Sequence, residues 1–551
     1  MSTATEPRRR TAVAASSRRG ALTGTGTLLR FMLRRDRVRF PAWTLGLAAF
    51  MGYFVTALQQ VYATPEDIRA IAPLMRGPMG ALFGGPGYGM DDPRLEHLLA
   101  GLYGVYILLG AGLMSLLTVV RHTRTEEHSG RAELIRSNVV GRHAQLTAAL
   151  VLTTGMNLVV VGLIGAVMTG QGFDTAGSWL FAVGVGAVGL SFAGVAATTA
   201  QLSEYPRAAA GAAGAALGGA FALRALGDMT SEHGNALSWL SPIGWAQQTA
   251  PYVLDRWWPL AISVAFAILT AALGYTLSTR RDLAAGLVPP RPGPSRAAPW
   301  LRSPLALAWR LQRAQLVGWS LALAVGGGAY GAFTGPALDV FDDAPEELLV
   351  VMGGTENITS GFLGVLALTF GVTVAVYAVL AAQTARAEEA SGRAEPVLAT
   401  AVSRQRWLGT HLGVVALGSL WLLLVSGLAT GIGAGLSVGN GSLVGEMVLA
   451  TVVFAPAVWV VLAVAALLYG VAPRAMPVVW AVVGYGLVVG FFGPLLDLPD
   501  AALWLSPFEH VGDYPSDAVS GVGLMVLTLL AVAMAAAGLR AFRRRDVLGT
   551  G

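Results

Sequence analysis

One charged segment of eight residues occurs twice in this sequence. It starts with two glutamates and ends with Ser-Gly-Arg-Ala-Glu, at residues 126–133 and again at residues 388–395. The positions common to both copies are Glu126, Glu127, Ser129, Gly130, Arg131 and Glu133, and Glu388, Glu389, Ser391, Gly392, Arg393 and Glu395. Carboxylates beside a guanidinium are suited to ion pairing with another protein surface. His128 is replaced by Ala390 in the second copy, so we assign it no role.

The residue order predicts a bent helical element, which we call the elbow. Acidic residues favour a helix N-terminus, and Gly130 and Gly392 are expected turn points. The serines before them are expected to cap a short helix that starts near Arg131 and Arg393. A single charged loop is usually just solvated, whereas two matching copies in so apolar a chain favour a docking surface. Both interpretations stay open at this point.

Composition excludes several kinds of chemistry. The chain has no lysine, so it contains no phosphate-binding loop of the Walker A type, which requires one. It has no cysteine, and its seven histidines show no metal-ligand spacing. We therefore predict no catalytic residue, no metal site and no cofactor in this chain. If ATP and magnesium are used, a separate ATPase subunit binds them.

The elbows must be positioned by membrane helices. Only 13% of the 551 residues are charged, 54% are hydrophobic, and the mean hydropathy is +0.60. A membrane helix needs about 20 mostly apolar residues. Twelve such segments occur, at residues 41–58, 98–120, 144–169, 179–203, 207–225, 257–279, 316–333, 361–383, 407–434, 444–470, 475–496 and 519–541. The predicted fold is an all-α polytopic membrane protein with about 12 transmembrane helices.

The two elbows belong to a longer internal repeat. Five blocks recur in the same order, namely Arg34/Arg37/Trp43 with Arg310/Arg313/Trp319, the elbows, Pro206-Arg207-Ala208 with Pro473-Arg474-Ala475, Trp239-Leu240-Ser241-Pro242 with Trp504-Leu505-Ser506-Pro507, and Arg280-Arg281-Asp282 with Arg544-Arg545-Asp546. Each half has six spans, an even number, so both insert the same way up, as parallel repeats about a pseudo-twofold axis along the membrane normal.

The repeat predicts four regions. They are a basic cytoplasmic tail with an interfacial helix (1–40), a first six-helix half (41–282), a proline-rich cytoplasmic linker (283–304) and a second six-helix half with an interfacial helix at its start (305–551). With the N-terminus inside, only five of the 37 basic residues fall on the outer side or at the outer end of a span. This bias places both termini and both elbows in the cytoplasm.

The repeated Trp-Leu-Ser-Pro element then lies outside, before the last span of each half. Its candidate residues are Trp239, Ser241, Pro242, Trp504, Ser506 and Pro507. Tryptophan suits the aromatic belt at a membrane surface, and the prolines are expected to end the preceding structure. A structural anchor is the favoured interpretation, and a role in gating or substrate exit is the alternative.

Ionisable residues inside the spans are scarce. Arg224 is one candidate, but it lies near the outer end of its span, where a long side chain can reach water. Proton-coupled transporters usually need ionisable groups within the membrane. Their scarcity counts against a secondary transporter.

The doubled six-span layout, the elbows, the Trp-Leu-Ser-Pro element and the Arg-Arg-Asp ending together resemble one known family. It is the family of permease subunits from ABC transporters that export polyketide antibiotics, of the tetronasin type, common in actinobacteria. The resemblance implies that each elbow is a coupling helix seated in an ATPase subunit, and that two ATPase copies pair with one chain. It also implies a bacterial plasma membrane location and export of hydrophobic, drug-like molecules.

Two other functions are kept as alternatives, a proton-driven secondary multidrug transporter and a membrane-embedded enzyme or scaffold. The coupling interpretation carries its own structural expectation. Because the elbows lie outside the bilayer, reversing the charge of Glu127 and Glu389 should leave folding intact while transport falls.

Overall fold

The computed structural model describes residues 20–136, 140–282, 284–289, 293–341, 358–496, 499–512, 514–515 and 518–546. Most of the predicted basic tail, and linker residues 283 and 290–292, lie outside that part of the chain. All regular structure in the described residues is helical, as predicted. The chain divides into two compact units, Met1–Gly293 and Pro294–Gly551.

The first unit contains eleven helices in its described residues. They are α1 (Thr25–Arg35), α2 (Arg39–Val61), α3 (Pro65–Arg76), α4 (Pro78–Phe83), α5 (Leu95–His128), α6 (Arg131–Arg136), α7 (Ala144–Gly170), α8 (Thr175–Leu202), α9 (Pro206–Thr230), α10 (Pro242–Gln247) and α11 (Pro259–Ser278). Helix α5 is continuous but widens into π-helical turns at Leu99–Tyr103 and Arg121–Thr125.

The second unit has nine helices in the residues that are described. They are α12 (Pro304–Ala332), α13 (Thr334–Phe341), α14 (Ile358–Ala390), α15 (Ala394–Leu398), α16 (Arg404–Val438), α17 (Leu443–Val471), α18 (Val479–Leu496), α19 (Asp500–Leu503) and α20 (Gly521–Arg544). A short 3₁₀ segment, Pro473–Val478, leads into α18.

Eleven of the twelve predicted spans coincide with candidate membrane-spanning helices. Eleven helices of the described chain are long and apolar enough to cross a membrane. The remaining predicted span, 316–333, lies within α12, a 29-residue helix whose first third carries Arg310 and Arg313. In the first unit the matching residues form two helices, α1 and α2, separated at Asp36–Val38. In the second unit they form α12 without a break, rather than a separate interfacial helix.

The fourth span lies at the centre of each unit. Helix α8 packs against α5, α7, α9 and α11, and most of its length is buried. Helix α17 packs against α14, α16 and α20 in the same way. Both central helices are rich in alanine and glycine, which lets neighbouring backbones approach closely, as is typical of membrane helix contacts.

A matching glycine brings the sixth span against the fourth in each unit. A Cβ atom added at Gly274 of α11 would lie 2.9 Å from the backbone carbonyl group of Ala197 in α8. A Cβ atom added at Gly538 of α20 would lie 2.6 Å from the carbonyl oxygen of Ala466 in α17. These separations are shorter than real side chains tolerate against backbone, so only glycine permits this contact.

We predict that Gly538→Leu destabilises the protein, because backbone atoms of α17 cannot yield to the new side chain. The expected loss is roughly 1–3 kcal/mol or more, the usual cost of overpacking. Thermal unfolding of the purified protein measures it. The control is Gly484→Leu in α18, where an added Cβ atom meets nothing within 4 Å. Equal melting temperatures for the two variants would contradict the packing argument.

Candidate functional site

Each elbow begins where the second span of its unit ends. Helix α5 ends at His128, Gly130 adopts a φ of 73°, and α6 begins at Arg131. Helix α14 ends at Ala390, Gly392 adopts a φ of 71°, and α15 follows. These φ values lie in the left-handed region, where glycine lacks the steric penalty of a Cβ atom. The two glycines thus form the turns at the predicted positions.

The structure corrects two expectations about the elbows. The glutamate pairs lie in the last turns of α5 and α14, not at a helix N-terminus. The serines do not cap the helices that follow. Ser129 donates back to the carbonyl oxygen of Glu126 (3.1 Å), and Ser391 donates to those of Ala387 (2.8 Å) and Glu388 (3.2 Å). The sequence pattern was misleading because the helix of the second span extends beyond its apolar residues. The two acids therefore form the C-terminal turn of that helix.

Glu127 is buried and makes a bidentate ion pair. Its two carboxylate oxygens accept hydrogen bonds from the guanidinium of Arg281, each at 2.8 Å. Arg124, which is fully buried, donates to the same carboxylate at 2.8 Å and to the carbonyl oxygen of Ala200. Arg281 also donates to the side chain of Gln201 at 2.7 Å. This cluster ties the end of α5 to the end of α8 and to the segment that follows α11.

Glu389 is also bound by an arginine in the second unit, but through a single guanidinium nitrogen, Nη2 of Arg545. Glu389 is fully buried, and both of its oxygens accept from Arg545 at 2.8 Å. The hydroxyl of Tyr469 in α17 donates to the same carboxylate. The Arg545 guanidinium lies 5.2 Å from the ring centroids of both Tyr469 and Phe542. The ends of α14, α17 and α20 are therefore tied together as α5, α8 and α11 are in the first unit.

The first glutamate of each pair forms ion pairs at the elbow. Glu126 pairs with Arg35 of α1 and lies 3.9 Å from Arg131. Glu388 accepts hydrogen bonds from Arg393, the shortest at 2.7 Å, and these bonds raise the pKa of the Arg393 guanidinium. Each elbow thus has one acid that points into its unit. The other acid closes the turn of the second elbow through Arg393, whereas in the first elbow it ties the turn to α1 through Arg35.

The outer side of each elbow is exposed. The exposed residues common to both are Ser129, Arg131 and Glu133, and Ser391, Arg393 and Glu395. Ala132 and Ala394 lie beneath them and are buried. A partner protein can therefore reach the arginine and the last glutamate of each elbow, but not Glu127 or Glu389.

The expectation that charge reversal at Glu127 and Glu389 leaves folding intact is wrong. That expectation assumed solvent-exposed side chains, whereas both carboxylates are buried against arginines. Replacing either one by a cation would leave like charges together in a poorly solvated site, and this is strongly destabilising.

Each Trp-Leu-Ser-Pro element forms a turn, and the first of these turns leads into helix α10. Ser241 accepts hydrogen bonds from the backbone of Ile243 and Gly244 and donates to the carbonyl oxygen of Ala220 in α9 at 2.7 Å. Trp239 stacks on Trp258 at 5.1 Å. The candidate prolines are both buried, Pro242 as the first residue of α10 and Pro507 in a turn after Ser506. Trp504 is 75% exposed and makes an edge-on contact with the ring of His510 at 6.0 Å, so the two elements hold their tryptophans differently.

Arg224 does not reach water as expected. It is fully buried and donates to the carbonyl oxygens of Ala81 (2.8 Å) and Leu82 (3.1 Å) beside α4. Its Nη1 atom lies 3.7 Å from the carboxylate of Asp228, which accepts from Ser238 at 2.6 Å. The packing of α4 against α9 closes the route to solvent that the position near the end of the span suggested.

Comparison with known proteins shows the family to which the chain belongs. A family model described as "Multidrug efflux system permease Rv1217c, C-terminal domain" matches residues 26–277 and 301–543. The multidrug efflux system permease protein Rv1217c of Mycobacterium tuberculosis is 39% identical over 539 residues, which is 97% of both chains. This chain belongs to that family of multidrug efflux permeases. It is a multi-pass membrane protein and a transport subunit rather than an enzyme.

Sequence reasoning found the elbows of this permease but missed their arginine partners. Arg281 and Arg545 belong to the Arg-Arg-Asp block that recurs after the sixth span of each half. The signal was present, because the sequence repeats an acidic pair and an arginine pair on the same predicted side of the membrane. Arg124 also had a repeated signal, because Arg386 precedes the second glutamate pair by the same two positions. Tyr469 and the Arg224–Asp228 pair gave no comparable repeated signal.

We predict that Glu389→Gln destabilises this permease by roughly 3–5 kcal/mol, because it leaves the Arg545 charge poorly compensated in a buried site. The double variant Glu389→Gln/Arg545→Gln should recover much of the loss. Thermal unfolding and yield in the membrane fraction report both effects. The matched control, Glu388→Gln, disrupts a more exposed pair and should cost about 1 kcal/mol or less. If Glu389→Gln behaves like this control, the buried bridge is not structural.

Proposed function

We propose that this chain is the membrane permease of an ATP-driven ABC exporter in the bacterial plasma membrane, with both termini cytoplasmic. A separate ATPase binds ATP and Mg²⁺. The cargo is hydrophobic small molecules, including antibiotics and other drugs, in line with the related M. tuberculosis permease and the resemblance to tetronasin-type exporters. The observation that carries the proposal is the doubled elbow, whose outer side is exposed and whose inner side is bound to three spans.

Each elbow acts as a rigid lever. The exposed residues Arg131 and Glu133, with Arg393 and Glu395 in the second copy, contact one ATPase subunit each. The bidentate bridge Glu127–Arg281 and the bridge Glu389–Arg545 then transmit movement to the second and sixth spans. Arg124 and Tyr469 extend the connection to the fourth span. ATP-driven closure of the ATPase pair draws the elbows together and opens the path outward.

Burial of the second glutamate of each pair supports separate roles for the inner and outer residues of the elbow. A flexible solvated loop would absorb a displacement at its tip. A turn closed by glycine and held by a two-bond arginine bridge has few ways to deform, because both hydrogen bonds must break together. The outer residues therefore provide recognition, and the inner residues provide stiffness.

We predict that the fourfold variant Arg131→Gln/Glu133→Arg/Arg393→Gln/Glu395→Arg folds and inserts normally but loses the ATPase and export. The changed side chains are exposed, and exposed substitutions usually cost within about 0.5 kcal/mol. The measurements are pull-down of the ATPase and drug transport into inverted vesicles. The control reverses Arg37 and Arg302, two exposed arginines outside the elbows on the same predicted side. Wild-type binding and export by the fourfold variant would show that the elbows are merely solvated.

A second prediction concerns stoichiometry and energy. One permease chain carries two elbows, so the purified complex should contain one chain and two ATPase copies. The isolated chain should hydrolyse no ATP, since it has no lysine for a phosphate-binding loop. Native mass spectrometry and an ATPase assay on each component test both points. A complex with two permease chains, or turnover by the pure permease, would refute the proposal.

The Arg224–Asp228 pair gives the proton-driven alternative one supporting observation, since ionisable groups buried in spans often mark proton pathways. Transport in vesicles energised by a pH gradient, without nucleotide, distinguishes the two. Transport that persists without ATP and is lost in Asp228→Asn would favour the alternative. The hydrogen bonds of this pair to α4 and to Ser238 are those expected of a structural tie, so we place it second.

A further inference from the structure

The first unit contains a basic pocket that the coupling mechanism does not use. It has a volume of about 600 Å³ and lies among the start of α2, the end of α5 and the start of α9. These three helix ends are on the elbow side of the unit. Three arginines line the pocket, Arg39, Arg121 and Arg207, together with one carboxylate, Asp36.

The single carboxylate does not neutralise the pocket. Asp36 is buried and is engaged by Arg121 at 3.1 Å and by the ring of His122 at 2.6 Å. Arg39 and Arg207 are exposed, and within the described residues neither forms an ion pair. Arg121 also experiences repulsion from Arg39 and from Arg35. An anion placed between these guanidinium groups would relieve that repulsion.

The rest of the pocket is suited to an apolar group. Trp43, Leu117 and Met156 contribute to its wall, and small residues such as Ala42 and Ala210 leave the space open. Arg207 is in the first turn of α9, a 25-residue helix whose N-terminal dipole adds positive potential at the same place. The pocket therefore combines a cationic mouth with an apolar wall, as an anionic amphiphile requires.

The repeat shows that the charge is specific to one half. By the repeat alignment, Asp36, Arg39 and Arg121 correspond to Gln312, Gln315 and Gln383, whereas Trp43 and Arg207 correspond to Trp319 and Arg474. The second half thus keeps the tryptophan and one arginine but lacks the cluster. A general need for positive charge at the membrane surface would apply to both halves, so the cluster indicates a ligand of the first half.

We propose that this pocket binds the head group of an anionic phospholipid from the leaflet on the elbow side, with the acyl chains along Trp43 and Leu117. Basic pockets between membrane helices at this depth suit lipid phosphates. The volume accommodates a phosphate with its glycerol and the first part of the chains. The bound lipid bridges the first, second and fifth spans beside the elbow. This binding does not depend on ATP coupling.

The test uses full-length protein in nanodiscs of phosphatidylcholine with increasing phosphatidylglycerol, with retained lipid counted by native mass spectrometry. The wild type should retain phosphatidylglycerol selectively. Arg39→Gln/Arg207→Gln should weaken this retention on the order of ten- to thirty-fold, since each arginine near an anionic surface contributes roughly a fivefold factor. Both side chains are exposed, so folding should be unaffected, and the melting temperature in pure phosphatidylcholine verifies this.

The matched control is Arg34→Gln/Arg37→Gln, which removes the same charge from the same region without touching the pocket. If this control loses as much lipid, general surface charge explains the effect and the proposal is overturned. Equal retention of phosphatidylcholine and phosphatidylglycerol by the wild type would also overturn it. Soluble glycerol phosphate carries the head group without chains. If it competes as strongly as the lipid, the apolar wall contributes nothing and the lipid assignment fails.

Discussion

A carboxylate at the C-terminal end of a membrane helix is doubly disfavoured, because burial removes its water and the helix dipole is negative there. Glu127 and Glu389 occupy such positions, and each is stabilised by the guanidinium of an arginine more than 150 positions later in the chain. Separating such a pair costs free energy, and for this reason the elbow resists deformation. The same interaction places the outer residues of the elbow and fixes the three spans beneath them.

Close backbone packing brings the arginines within reach of these carboxylates. Gly274 and Gly538 let the sixth span lie directly against the fourth. The arginine that follows each sixth span can then meet the glutamate at the end of the second span. A larger side chain at either glycine would move the end of the helix by an ångström or more, and these hydrogen-bonded bridges tolerate little displacement. Apolar packing inside each unit and ion pairing at its edge therefore depend on one another.

The two halves share the elbow and its buried bridge and differ in their other buried and pocket-lining charges. Both have the elbow, the glycine turn, the Glu–Arg bridge and the close contact between the fourth and sixth spans. The basic pocket and the Arg224–Asp228 pair occur in the first half, where the corresponding residues of the second half are mostly uncharged. Two halves in one chain can diverge independently, because each change affects one side of the molecule. A force applied symmetrically can then act on an asymmetric set of sites.

The amino-acid sequence alone predicts the membrane class, the approximate positions of nearly all spans, the repeat and the lack of a phosphate-binding loop. Each of these follows from local composition, since a span is simply about 20 apolar residues in a row. Tertiary structure alone decided which charges are exposed. Glu127 and Glu389 looked solvated and Arg224 looked able to reach water, yet all three are buried. Burial and pairing depend on neighbours brought close by helix packing, and the linear order of residues does not encode those distances directly.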